Sequence, residues 1–229
     1  MKLKHITDVF FDLDHTLWDF DRNSALAFEL IFKKNNFDIN LEDFLTIYEP
    51  INLKYWQLYS KDEVDKATLR FGRLFETFKL MKQSVDDNTI NKLSDDYIDH
   101  LTVHNHLLDD AKPILDYLNP NYRLHIITNG FKEVQQGKLK KSQIHHFFDT
   151  ITNSEEVGVK KPDPKIFNHA LEVAKVGSET SLMIGDNLEA DIMGALQVGL
   201  DVIYFNPTEL VAKKNIIQIK QLSELKNYL

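Results

Sequence analysis

Short apolar runs recur along the chain as TDVFFDL, RLHIITN, FFDTITNS, TSLMIGD and LDVIYFN. Each is rich in Val, Ile, Phe or Leu and stops at Asp, at Asn or at a glycine-containing turn, the pattern of a strand buried on both faces. Between them, residues 131–142, 163–175 and 188–198 carry apolar positions three and four apart, and Pro164 suits a helical first turn. Strands alternating with helices predict an α/β chain: a three-layer, Rossmann-like parallel sheet core with helices on both faces.

A second pattern interrupts the first. Residues 17–100 hold long helical stretches, SALAFELIFKKN, INLKYWQLYS, EVDKATLRFGRLFETFKL and TINKLSDDYIDHLTVHN, with no strand-like run. The expected organisation is therefore a core made of 1–16 and 101–229, with an all-helical cap inserted at 17–100. Phe28, Phe32, Tyr55, Trp56, Tyr59, Phe71, Phe75 and Phe78 read as the core of that inserted block.

Composition narrows the function. With 229 residues, 43% hydrophobic and only 8 Gly and 6 Pro, the chain can bury a substantial core. A formal net charge of -8 argues against a nucleic-acid polymer as partner, since such binders present clustered basic surface. Lys138, Lys140 and Lys141 form only a short cluster, read as a solvated helix face. The absence of cysteine excludes disulfides, thiolate metal sites and a cysteine nucleophile. The opening MKLKHITDVFFDLD has too short an apolar run for a signal peptide or a membrane span, so a cytoplasmic location is expected.

In a parallel sheet, ligands bind beyond the carboxyl ends of the strands, so the polar residues that follow each run should converge. Those residues are Asp12 and Asp14, Thr128 and Asn129, Asn153 and Ser154, and Asp186. Lys161 in VGVKKPDP adds a cation, and Asp191 follows one helical turn after Asp186. Singly, each is a common turn former or helix cap. Together, and in this order, they supply a nucleophile, a hydroxyl donor, a cation and a metal cage.

Asp12 and Asp14, two apart on an extended segment, are expected to project to one side with Leu13 opposite. If Asp186 joins them, each pairwise repulsion is on the order of 4 kcal/mol at ~4 Å and an effective dielectric near 20. Such a cluster calls for a cation, and oxygen-only ligands favour Mg2+. Beside Lys161 and Thr128, that cation suits a phosphoryl group whose negative charge must be cancelled before attack. Asp12 then reads as a nucleophile forming an aspartyl phosphate, and Asp14 as the acid/base that serves the leaving group and the water.

With those residues in hand, the sequence resembles the haloacid dehalogenase-like (HAD) phosphatases. FFDLDHTL is similar to their first motif, IITNG to the second, VGVKKPDPKIF to the third and MIGDNLEADI to the fourth. The resemblance implies Asp12 as nucleophile, Asp14 as general acid/base, Thr16 in its expected place, Thr128 and Asn129 on the phosphate, and Lys161 rather than Lys160 as the matching lysine. It implies Asp12, Asp14 and Asp186 as the metal set, Asp14 contributing its backbone carbonyl, with Asp191 orienting the lysine or a metal-bound water. It also implies a helical cap that selects the substrate. Within that superfamily TLWDFD, RFGRLF, IITNGF and SEEVGVKKPDPKIF resemble cytosolic 5′-nucleotidases acting on pyrimidine nucleotides. On that finer resemblance Arg73 is a cap candidate for nucleotide contact, and Trp18 and Phe20 are candidates either for stacking on a base or for packing.

The expected substrate is accordingly a small phosphorylated metabolite, a nucleoside monophosphate in first place, with other small phosphate esters and a phosphomutase reaction as alternatives. A true dehalogenase would need neither metal nor second acid, so Asp14 and Asp186 count against it. Thr16 stands where phosphomutases of this kind commonly carry Gly, which favours hydrolysis. A phospho-aspartate signalling switch would share the Asp, Thr and Lys, but the inserted helical block and the second Asp argue against it.

Overall fold

The structure is a computed structural model that describes residues 2–208 and 216–229. Among the described residues six strands form one sheet: β1 (Asp8–Phe11), β2 (Arg123–Thr128), β3 (Phe148–Asn153), β4 (Ser181–Gly185), β5 (Asp201–Phe205) and β6 (Ile217–Ile219). Their order is β3-β2-β1-β4-β5-β6, and every pairing is parallel. β1 is central, with Val9 facing both Leu124 and Leu182 and Phe11 facing both Ile126 and Ile184. Its four residues are all buried, which is why the run is apolar without alternation.

The helices associated with this sheet are α5 (Ala111–Leu118), α6 (Lys132–Lys141), the short α7 (Ser154–Val157), α8 (Pro164–Ala174) and α9 (Gly194–Gln197). Asp163 caps α8 by accepting from the Lys165 N–H at 2.8 Å, and Pro164 occupies the first turn, where its missing N–H is no loss. The buried face of α8, Ile166, Phe167 and Ala170, packs with Phe10, Ile127 and Met183 of the strands. A large apolar side chain so buried contributes roughly 1.5–3 kcal/mol. The α/β architecture expected from the alternating pattern is the one observed.

The elements outside the sequence expectation include the one-turn α7, β6 and α5. β6 is only three residues long, too short for a periodic signal. α5 spans two turns with Pro113 inside its first turn, and the Pro masks the apolar face of Ala111, Ile114, Leu115 and Leu118.

The chain divides into two compact units, Met1–Phe20 with Asn105–Leu229, and Asp21–His104. Each division falls four residues after the expected joins at 16/17 and 100/101. The second unit contains α1 (Phe20–Lys34, from its second residue), α2 (Leu41–Ser60), α3 (Lys66–Leu80) and α4 (Asp87–His100). Asn40, Asp65 and Asp86 cap α2, α3 and α4 through side-chain oxygens that accept from Asp43, Thr68 and Thr89 N–H groups. α2 continues through Pro50, so the helix is ten residues longer at its start than the pattern beginning at Ile51 suggests. Burial of Phe44, Tyr48, Ile51 and Tyr59 along one face offsets the hydrogen bond that proline cannot make.

Phe28 is the hub of this unit's interior, with ring contacts to Phe32, Phe44, Tyr48 and Tyr97 at 4.5–5.6 Å. Phe32, Tyr59 and Phe78 are buried as expected of a core. Phe75 is exposed, and Tyr55, Trp56 and Phe71 are only half-buried, so these four do not belong to the centre of that core. No helix among the described residues is long and apolar enough to cross a membrane.

Candidate active site

Because all strands run the same way, the residues following β1, β2, β3 and β4 emerge at one edge of the sheet. Asp12 directly follows β1, and its N–H continues the ladder by donating to Ile184 O at 2.9 Å. Its side chain is buried, and Oδ1 accepts from Lys161 Nζ at 2.6 Å. Lys161 is itself 2% exposed; it also donates to Ile127 O at 2.7 Å and lies 2.6 Å from Asp191 Oδ1.

The loop carrying Lys161 is fixed by Asn129. Asn129 Oδ1 accepts from the Lys161 N–H at 2.8 Å, while Nδ2 donates to Lys161 O at 2.9 Å. Both ends of the amide are thus engaged with main chain, and the Asn129 side chain acts as a brace between two loops. Thr128, at the end of β2, is buried and accepts from the Gly130 N–H at 3.0 Å, which leaves its hydroxyl proton available to donate. Asn153 caps α7 and donates to Gly130 O at 2.7 Å, tying down the same loop from β3.

On the other side of β1, Asp186 follows β4. Thr16 Oγ1 donates to Asp186 Oδ1 at 2.9 Å and lies 3.5 Å from Asp12 Oδ2, so one hydroxyl spans two acids. Asp191 sits in a π-helical turn, Leu188–Met193, capped by Asn187 and continued by α9. Such turns are rare and concentrate at functional sites. Asp191 Oδ2 accepts from the Asn187 N–H at 3.0 Å. Gly185 makes this approach possible, because a Cβ there would stand 2.3 Å from Asp191 Oδ2.

Ligand atoms of Asp12, Asp186 and Asp191 all lie within 4.8 Å of one another. Burial, and then the neighbouring Asp191 carboxylate, pushes Asp186 up to about 7. Asp12 is raised well above the ordinary carboxylate range by burial, with Asp191 and Asp186 adding to the shift and Lys161 opposing it. Burial also works against the Lys161 ammonium, but Asp12 and Asp191 outweigh it and hold its pKa above the usual lysine value. Three carboxyl groups facing one ammonium in a poorly solvated place have too little positive charge beside them for all three to ionise. An oxygen-only donor set that lacks positive charge fits a hard divalent cation such as Mg2+.

The third carboxylate of the cluster differs from the reading of Asp12 to Asp14 as one extended segment, which grouped the side chains of Asp12, Asp14 and Asp186, whereas the family resemblance had Asp14 contribute its backbone carbonyl. β1 ends at Phe11, and the chain then turns tightly, with Leu17 and Trp18 N–H groups donating to Leu13 O and His15 at φ 61°. The alternation of an extended strand therefore does not carry through to Asp14. Its carboxylate accepts instead from Lys138 Nζ at 2.6 Å and from Gln135 Nε2 at 3.2 Å, both on α6. Asp191, from a helical turn, occupies the third position.

Lys138 is the clearest departure from the pattern reading. Lys140 and Lys141 are exposed as a solvated face requires, but Lys138 is 1% exposed, with its ammonium 4.5 Å from the centre of the Trp18 ring and 5.4 Å from that of Phe20. Trp18 is wholly buried, so its ring has no face free for a base, and Phe20 packs beside it at 6.2 Å. A signal for Lys138 exists in the sequence: Val134, Gln135, Lys138 and Leu139 share one helical face, so two polar residues stand at inward positions. Arg73 lies in the interior of the helical unit, donating to Asn52 Oδ1 at 2.9 Å, with its guanidinium 4.9 Å from the Tyr97 ring centre.

This chain is similar to several known proteins. The family model described as haloacid dehalogenase-like hydrolase matches residues 9–205. Pyrimidine 5′-nucleotidase YjjG of Escherichia coli strain K12 is 34% identical over 199 residues, 86% of this chain and 85% of that protein. Pyrimidine 5′-nucleotidase PynA of Streptococcus pneumoniae is 31% identical over 223 residues, 95% of this chain and 90% of that protein. Among solved structures, the HAD-hydrolase YfnB of Bacillus subtilis, bound to magnesium, superposes with a TM-score of 0.87 at 29% identity, covering 97% of both chains.

Proposed function

We propose, for a chain that belongs to the haloacid dehalogenase-like hydrolase family, a phosphomonoester hydrolase activity on pyrimidine nucleoside 5′-monophosphates, working through a phospho-Asp12 intermediate with Mg2+ as cofactor. The observation that carries this reading is the meeting of Asp12, Asp186 and Asp191 around a single buried lysine, Lys161. The substrate class is supported by the two nucleotidases, each similar over more than four-fifths of the chain. Enzymes of this fold differ in substrate, so the pyrimidine assignment is the finer part of the proposal.

Asp12 and Asp186, with the Asp14 main-chain carbonyl, are the groups proposed to hold the metal. Bound there, Mg2+ would offset the carboxylate charge and polarise the phosphoryl oxygens. Asp12 Oδ attacks phosphorus, the ester P–O bond breaks, and the departing nucleoside oxygen takes a proton from Asp14. Lys161 and the Thr128 hydroxyl bind phosphoryl oxygens and stabilise the charge that develops on them. Asp14 then accepts a proton from the water that attacks the phospho-aspartate, which releases inorganic phosphate and restores Asp12. Asp191, against Lys161 and the Asn187 N–H, orients the ammonium.

The test is phosphate release with Mg2+ across nucleoside monophosphates, sugar phosphates and p-nitrophenyl phosphate. The proposal expects multiple turnovers, with pyrimidine 5′-monophosphates among the best substrates. A single stoichiometric phosphorylation would instead indicate a switch. Preference for a sugar phosphate would retain the chemistry and move the substrate.

A further inference from the structure

The side chain of Asp14 is held on both oxygens by a single helix. Gln135 and Lys138 stand three apart on α6, one donating to Oδ2 at 3.2 Å and the other to Oδ1 at 2.6 Å. Lys138 and Gln135 are 1% and 2% exposed, so neither is a surface residue that happens to reach inward. The ammonium also lies over the buried Trp18 ring, so it is held from two directions, by an anion and by an aromatic face. Gly130 permits the arrangement: a Cβ there would lie 1.5 Å from Gln135 Nε2, and only a glycine lets the amide pass to reach Asp14. The glycine of the TNG loop and two inward polar residues of α6 thus converge on one carboxylate.

A buried ion pair is poor evidence of stability, because desolvation consumes most of its Coulomb gain and apolar replacements commonly do as well. What the pair supplies is geometry. Asp12 and Asp14 are two residues apart, yet each has its own buried ammonium, Lys161 for one and Lys138 for the other. We propose that Lys138 and Gln135 form a positioning clamp that keeps the Asp14 carboxylate out of the Asp12, Asp186, Asp191 cluster and aimed at the leaving-group oxygen. This rests on the acid/base reading of Asp14. It adds two residues, acting through Asp14, that no motif of the sequence singled out.

The clamp makes removal of Lys138 a defect in leaving-group departure rather than in binding. kcat/KM reports the steps up to phosphoryl transfer. It should fall about 100-fold for uridine 5′-monophosphate in Lys138→Met, but only about 10-fold or less for p-nitrophenyl phosphate, whose leaving group needs little acid help. KM should stay within about twofold, and Lys138→Arg should recover most of the loss. Gln135→Met, a near-isosteric change at the weaker contact, should show the same pattern with a smaller loss, and it serves where Lys138→Met lowers the yield of folded protein.

The decisive measurement is the double-mutant cycle with Asp14→Asn on p-nitrophenyl phosphate. If Lys138 acts through Asp14, Asp14→Asn/Lys138→Met is no slower than Asp14→Asn alone. Multiplying losses, or full activity in both Lys138→Met and Gln135→Met, would overturn the clamp. The premise fails separately: if Asp14→Asn slows both esters equally, Asp14 is not the acid, while the cycle still reports whether Lys138 works through it.

Discussion

The central strand carries a buried aspartate at each end, and the two are treated in opposite ways. Asp8, the first residue of β1, is wholly buried and its oxygens are matched by donors. Oδ2 accepts from Thr7 Oγ1 at 2.6 Å and from Arg123 Nη2 at 3.0 Å, and Oδ1 lies 2.9 Å from His125 Nε2. His125 passes the chain on to Thr150 Oγ1 at 2.9 Å and stacks on Phe10. Asp12, just past the other end, shares one lysine with Asp191, and Asp186 stands near it. Four residues apart, one carboxylate is neutralised by the fold and the other is left needing a cation. A satisfied buried charge is architecture; an uncompensated one marks where a ligand belongs.

That contrast is broken most directly by substituting each acid in turn. Asp12→Asn should cut kcat at least about 1,000-fold without lowering the melting temperature, since it removes charge from a crowded site. Asp8→Asn should do the reverse, costing about 1–3 kcal/mol of stability by leaving a buried donor of Thr7 or His125 without its acceptor, while the half-exposed Arg123 turns to water. Turnover per folded molecule should be nearly unchanged. Thermal melts run beside phosphate release decide it, and loss of turnover in folded Asp8→Asn would erase the distinction.

A smaller effect sharpens the metal side. In Gly185→Ala the new Cβ would displace the Asp191 carboxylate, and Mg2+ affinity should fall about 10–100-fold. Titration of the rate against Mg2+ measures this, and an unshifted midpoint would free Asp191 from any role at the cation. Smaller again is the stabilisation by the ion itself. At about 100 times its dissociation constant, Mg2+ should add about 2.7 kcal/mol, reversed by a chelator. Asp186→Asn should abolish that increment, whereas Asp8→Asn should keep it in full.

The smallest effect concerns His125. Burial lowers its pKa, and the Asp8 carboxylate offsets that only in part. A histidine whose pKa is depressed on folding contributes stability fully present above its unfolded value, about 6.5, and lost as pH falls through the folded value. Denaturant melts should therefore show stability declining below about pH 6.5, and His125→Gln should flatten that decline. An unchanged profile would remove His125 from the account of acid sensitivity.

Much of this was readable from the chain. The parallel sheet followed from apolar runs without alternation, and the polar residues after β1, β2 and β4 could be named before any coordinates because parallel strands deliver their ends to one edge. A change of period at residue 17 led to the expectation of a helical insertion, and the first helix starts at Phe20. What escaped was of two kinds. β6 and α5 are too short to carry a period, and Pro50 imitates a helix boundary that tertiary packing overrides. The other misses are matters of direction. The extended-segment reading put the Asp14 side chain with Asp12 and Asp186, the charge pattern left Lys138 in solvent, and Trp18 stood open between stacking on a base and packing, of which the structure shows packing. The turn after Leu13 redirects the Asp14 carboxylate to α6, where Lys138 meets it from the buried face of that helix.

Residue type and order alone determined the α/β class and the helical stretches between its strands, and put Asp12, Thr128, Lys161 and Asp186 forward as candidates, since periodicity and strand-end chemistry are local properties. Only the tertiary structure decided which acid joins the cluster and which lysine each carboxylate receives. Those pairings are made across 149 residues for Asp12 with Lys161 and 124 for Asp14 with Lys138. No local rule reaches that far: burial sets the strength of each charge, and packing alone sets its partner.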